Sequence, residues 1–168
     1  MEIKLILGDI TASDADAIVN AANTKLKAGS GVCGAIFRAA GYFELQKECD
    51  KYSPINTGDA VITSGYNLKA KYIIHTAGPI YKDDTSSIYL RNSYYNSLKL
   101  AYSKNLRTIA FPSISTGIYG YPLDKASVIA IDAIYEFNKD YPENNMTVYF
   151  YFIDEYTYSF YEKYLNKR

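Results

Sequence analysis

The sequence predicts an α/β domain built on a largely parallel sheet with helices on both faces. Short apolar runs that read as strands alternate with stretches of helical periodicity along the chain, the order expected of strand–helix–strand units. The composition is that of a globular protein, 48% hydrophobic and 21% charged, too apolar for disorder. No internal repeat and no Pro/Gly/Ser-rich linker divides the 168 residues, so residues 1–168 are expected to form one domain. A chain of this size can bury roughly 70% of its extended surface without metal or disulfide staples.

Ile3–Leu7 and Ala17–Val19 read as the first two strands, each ended by polar or glycine residues. A helix is expected from about Val32 to Lys51, with Ala35, Ile36, Ala39, Ala40 and Phe43 on one side. Ala60–Thr63 and Tyr72–His75 are the next strands, the second closed by Gly78-Pro79. A helix from about Ser87 to Ser103 carries Leu90, Tyr94, Leu98 and Ala101 near helical spacing. Strand Thr108–Phe111 precedes a helix from about Leu123 to Asn138, where Asp124 suits the positive end of the helix dipole. Strand Thr147–Phe152 and a helix over about Tyr156–Leu165 complete the pattern.

Eighteen Lys+Arg against eighteen Asp+Glu leave a net charge of zero. That argues against nucleic acid as a partner, since phosphate contacts made by bulk charge need a cationic surplus. No apolar run approaches ~18 residues, so no membrane span is expected. Met1-Glu2-Ile3-Lys4 leads straight into an apolar run without the layout of a signal peptide, and Cys33 and Cys49 make no disulfide framework. A cytoplasmic monomer is the expectation. Nineteen tyrosines and no tryptophan are unusual, with Tyr149-Phe150-Tyr151-Phe152 followed by Tyr156, Tyr158, Phe160, Tyr161 and Tyr164. A base-stacking surface would need basic residues interleaved, so core packing accounts for them better. No His/Cys/carboxylate group has metal-ligand spacing, so no metal and no cofactor are expected.

Sheets of this kind bind ligands beyond the carboxyl ends of their strands. Four such segments stand out: Gly8-Asp9-Ile10-Thr11, Asn20 through Gly34, His75-Thr76-Ala77-Gly78-Pro79, and Pro112 through Gly120. Two are glycine-rich. Glycine lets successive N–H groups turn toward an anion, and a helix N-terminus adds about half a positive charge. Such loops can hold a diphosphate without Lys or Arg, which suits the zero net charge. Gly29-x-Gly31-x-x-Gly34 also matches a dinucleotide fingerprint, but Thr24–Ala28 separates it from the strand, and Glu48 and Asp50 lie in the helical stretch. The Gly-Lys-Ser/Thr ending of a Walker loop is absent.

Gly8-Asp9-Ile10-Thr11, Ala17 through Asn23, Gly31-Val32-Cys33-Gly34-Ala35-Ile36 with Ala39-Ala40-Gly41, His75 through Pro79, and Ser115-Thr116-Gly117-Ile118-Tyr119-Gly120 together resemble the macrodomain family. They resemble most its MacroD-like and viral-type ADP-ribosylhydrolases. The resemblance implies a three-layer α/β/α sandwich with a mixed, mostly parallel sheet, binding ADP-ribose. It implies that Asp9 accepts the adenine amino group, with a backbone contact from Ile10, a role open to a carboxylate, which only accepts. Ser30, Gly31, Val32, Cys33, Gly34 and Ile36 on one side, and Ser115, Thr116, Gly117, Ile118 and Tyr119 on the other, would hold the diphosphate. Asn23 would bind the distal ribose, Tyr119 would wall it, and Asn20 would brace the loop.

The implied activity is removal of mono-ADP-ribose from acidic side chains, or deacetylation of O-acetyl-ADP-ribose-type esters, with ADP-ribose or an ADP-ribosylated protein as partner. Asn23, Cys33 and Tyr119 are its catalytic candidates. Members of the branch carry an aspartate where this chain has Cys33, and a histidine where it has Phe37. Losing a general base costs ~10²–10⁴ where base catalysis matters, so a non-catalytic reader of ADP-ribose is the alternative. The viral-type resemblance implies hydrolysis through a water held by the substrate's own phosphate. Cys33 at a helix start also invites a nucleophile reading, with the only histidine, His75, as partner, against packing as a small apolar residue.

Overall fold

The computed structural model describes all 168 residues. Six strands, β1 (Glu2–Leu7), β2 (Ala17–Ala22), β3 (Ala60–Ser64), β4 (Tyr72–Ala77), β5 (Thr108–Phe111) and β6 (Thr147–Phe152), form one sheet in the order β1-β6-β5-β2-β4-β3. Every neighbouring pair is parallel except β3, which runs antiparallel to β4 at the sheet edge. Around the sheet lie α1 (Gly31–Ala40), α2 (Tyr42–Cys49), α3 (Ser87–Ser103), α4 (Leu123–Asp140) and α5 (Glu155–Lys167).

Strand side chains alternate between faces, so each central strand must be apolar on both. Val19, Ile74, Ile109, Phe111 and Phe150 point one way, into a core shared with Tyr94 of α3, Phe137 of α4 and Tyr161 of α5. Ile18, Ile73 and Ala110 point the other way, against Ile36 and Phe37 of α1 and Leu45 of α2. The result is three layers, with three helices over one face and two over the other. Emptying the larger core of one ring, Phe111 or Phe137, would cost about 3–5 kcal/mol.

The helix expected over Val32–Lys51 is two helices. The chain breaks at Gly41, whose φ is 115°. Its N–H ends α1 on the Phe37 carbonyl and its own carbonyl accepts from Leu45 N. Periodicity hides the break because Phe37, Ala40, Leu45 and Cys49 all face the same core. The second and fourth strands also run further than expected, to Ala22 and Ala77. Their polar Asn20, His75 and Thr76 look like strand ends, yet Asn20 lies opposite His75 in register, both fully buried.

Candidate functional site

The carboxyl ends of β2, β4, β5 and β6 open onto one cleft of about 500 Å³. Its first wall is the loop from β2 into α1. Asn23 folds back on this loop, accepting from Lys27 N at 3.1 Å and donating to Lys27 O at 2.8 Å. Gln46 of α2 grips the same loop, donating to Leu26 O at 2.9 Å and accepting from Ala28 N at 3.0 Å. A Cβ on Gly34 would sit 2.5 Å from Gly29 O, so only glycine lets α1 lie this close to the loop. Ser30 caps α1 without a side-chain bond, and no acidic residue occupies the first turn. The N–H groups there lack intrahelical partners and carry the positive end of the dipole.

The second wall is the loop after β5. Ser115 adopts φ 67°, an uncommon region for serine, and its buried Oγ has no hydrogen-bond partner. Ser115 O accepts from Tyr121 N at 2.9 Å, and Gly117 O from Gly120 N at 3.0 Å. Gly78 closes the floor, where a Cβ would meet Ser115 Oγ at 2.4 Å. No Lys or Arg lines the cleft, and its one carboxylate is Asp154. That carboxylate caps α5 by accepting from Thr157 N at 2.6 Å.

Beneath the first wall lies a buried polar row. Asn20 Nδ2 donates toward His75 Nδ1 at 3.1 Å and Cys33 Sγ at 3.7 Å. With Nδ1 accepting, the neutral ring carries its proton on Nε2, which faces Thr63 Oγ1 at 3.0 Å and Cys49 Sγ at 3.8 Å. Burial pushes the His75 pKa down to about 3. Burial likewise raises the Cys33 thiol, outweighing the hydrogen bonds from Asn20 and Gly29 that lower it. A protonated thiol whose S–H faces Lys27 O at 3.7 Å is no nucleophile, and the only histidine has its hydrogen-bonding atoms turned to Asn20, Thr63 and Cys49. The covalent reading of Cys33 is therefore set aside: desolvation, not the helix dipole, decides its protonation.

Of the residues expected at the site, Asn23, Ser30, Gly31, Val32 and Cys33 line the first wall, and Ser115, Thr116, Gly117, Ile118 and Tyr119 the second. Four others do not line this cleft. Asp9 is exposed and caps a 3-10 turn over Ile10–Ala12, its Oδ1 accepting from Thr11 N at 2.9 Å and Thr11 Oγ1 at 2.8 Å. Ile10 and Ile36 belong to the smaller core, and Gly34 faces Gly29 behind the loop. The cleft gains instead Phe152, Ile153, Asp154 and Thr157 from the end of β6 and the start of α5. The signal for them was the strand-end rule itself, applied to the last strand.

The macro domain family model matches residues 19–130. The chain is 52% identical over 166 residues to an uncharacterized protein of Fusobacterium nucleatum, covering 96% of this chain and 94% of that protein. It is 45% identical over 170 residues to the human ADP-ribose glycohydrolase MACROD2, covering 99% of this chain but only 40% of the human protein. Among solved structures, a macrodomain of Oceanobacillus iheyensis with ADP superposes with a TM-score of 0.91 at 41% identity, over 97% of this chain and 89% of that one. A Trypanosoma brucei macrodomain in complex with ADP-ribose gives 0.89 at 39% identity, over 98% of this chain and 69% of that one.

Proposed function

The chain belongs to the macro domain family, and from that premise we propose that its cleft binds ADP-ribose and cleaves it from carboxylate esters at the distal ribose. The observation that carries the reading is two facing loops, one ending in an uncapped helix start, around a cleft that no cation lines. Such a site suits a diphosphate, whose charge is spread over several oxygens that N–H groups can each meet. Phe152 and Ile153 offer apolar surface for a purine at the far end. Asp9, beyond that end, keeps Oδ2 outside its own turn for an amino group. Asn23 spends one N–H and one lone pair on Lys27 and has one of each left for ribose hydroxyls.

The two loops offer no general base for the distal ribose: Cys33 stays protonated, and the cleft's one carboxylate, Asp154, stands at the β6–α5 end beside Phe152 and Ile153. Hydrolysis then relies on a water ordered between the distal ribose and the diphosphate. Its oxygen adds at the anomeric carbon, the bond to the carboxylate oxygen breaks, and the proton passes to a phosphate oxygen. Positioning alone can supply several kcal/mol, and a carboxylate leaves readily. Protein-linked aspartyl or glutamyl esters at the anomeric carbon have this bond, and so does O-acetyl-ADP-ribose when its acetyl group sits on that carbon.

The missing base is also what favours the second reading, a reader that binds without turnover. Release of ADP-ribose from a carboxylate-modified protein, followed for the natural chain beside Cys33→Asp and Asn23→Ala, separates the two. Turnover by the natural chain that falls at least about tenfold in Asn23→Ala supports the hydrolase. Binding without any turnover supports the reader.

A further inference from the structure

The loop after β5 rests on two phenol hydroxyls that the packing of their rings does not require. Tyr94 of α3 and Tyr161 of α5 are both fully buried. The Tyr94 ring lies 5.1 Å from Phe111, and the Tyr161 ring 4.7 Å from Phe152, so phenylalanine would fill either place. Burying a hydroxyl there is unfavourable unless it is hydrogen-bonded, and both are bonded to the same loop. Tyr94 OH accepts from Ile114 N at 2.9 Å and donates to Pro112 O at 3.4 Å. Tyr161 OH pairs with Ser113 Oγ at 2.7 Å, and Ser113 Oγ accepts from Thr116 Oγ1 at 2.9 Å. A line of hydroxyls thus runs from the core under α5 to the residue before Gly117.

We propose that Tyr94 and Tyr161 are positioning residues that fix the second loop for the diphosphate of ADP-ribose, a role that rests on the binding reading above. With no cation in the cleft, the placing of N–H and hydroxyl groups must do the work on the phosphates. The loop also holds Ser115 at φ 67°, a conformation that persists only where its surroundings impose it. The turn bonds from Gly120 and Tyr121 close the far end of the loop. Its near end, Pro112 to Thr116, is held by the phenols. Neither phenol titrates near neutrality, since burial raises both, so the support is constant across physiological pH.

The test compares two ligands on Tyr94→Phe and Tyr161→Phe: ADP-ribose, and AMP, which has the same nucleoside but no diphosphate bridge. Each variant removes one oxygen and keeps the ring. ADP-ribose should bind about tenfold more weakly, the loss of one buried hydrogen bond, while AMP affinity stays within about twofold. Equal losses for both ligands, or none for either, would overturn the proposal. Should Tyr94→Phe fail to fold, Tyr161→Phe decides alone, because Ser113 keeps Thr116 as a partner and no buried group is stranded. If the unmutated protein binds no ADP-ribose, the underlying reading fails, and the proposal with it.

Discussion

The two walls of the cleft are held in opposite ways. The first is tied mainly from the outside, by Asn23 to the Lys27 backbone, by Gln46 from α2 and by Ser53 on Lys25 O, contacts that are half-exposed or exposed, with one long buried contact beneath it from Asn20 to Cys33 Sγ at 3.7 Å. The second is tied from the inside, by phenols sunk in the larger core. A polar tie at the surface competes with water and contributes little net, whereas a buried one is costly to leave unmade. The ties of the first wall should therefore give way at lower cost than those of the second.

The largest expected effect tests how the first wall meets its helix. Gly34→Ala places a carbon 2.5 Å from a backbone carbonyl, Gly29 O. It should destabilise the fold by about 3 kcal/mol and abolish ADP-ribose binding, read by urea unfolding and calorimetry. Gly78→Ala under the second wall meets the side chains of Ser115 and Ile114 instead, and should cost less in stability. A greater loss in Gly78→Ala would mean that the side chains of Ser115 and Ile114 give way less readily than the backbone at Gly29.

Acid should separate the two walls next. Above about pH 6.5 His75 is neutral folded or unfolded. As pH falls from 6.5 toward its folded value of about 3, the unfolded chain takes up a proton that the buried ring refuses. Stability then declines by about 1.4 kcal/mol per pH unit, or about 2 kcal/mol by pH 5. Thermal melts of His75→Gln should lose this slope between about pH 6.5 and 5. A slope that survives the substitution would place the titrating group elsewhere.

Gln46→Ala should be milder, about 1 kcal/mol, with faster amide exchange at Ala28 and none of that change at Ile114. Least of all should salt matter. With no Lys or Arg along the cleft, raising NaCl from about 0.05 to 0.5 M should change the ADP-ribose dissociation constant by less than about twofold. A steep salt dependence would mean that a cation outside the cleft reaches the phosphates.

Much of the fold was legible because its strands are buried on both faces, and β5 and β6 have the bounds that their apolar runs imply. What misled was polarity inside the sheet. Asn20 Nδ2 meets His75 Nδ1 across two strands, a pairing one residue at a time cannot disclose, while Asn20 Oδ1 is left without a partner. At the site, the glycines pointed to both walls. Asp154 carries no motif of its own and follows an aromatic run whose pattern signals only packing. Tyr161 was assigned to that packing too, correctly for its ring; the use of its hydroxyl depends on a loop some fifty residues away.

Because the cleft draws on residues 21–23, 29–33, 78, 112–119, 151–154 and 157, its completion comes late in synthesis. A nascent or proteolysed chain that stops near residue 150 would carry both glycine loops but lack Asp154 and Tyr161, and with them one end of the pocket and one support of its rigid side. Acquisition of ligand affinity should thus coincide with docking of the last helix rather than with formation of the glycine turns.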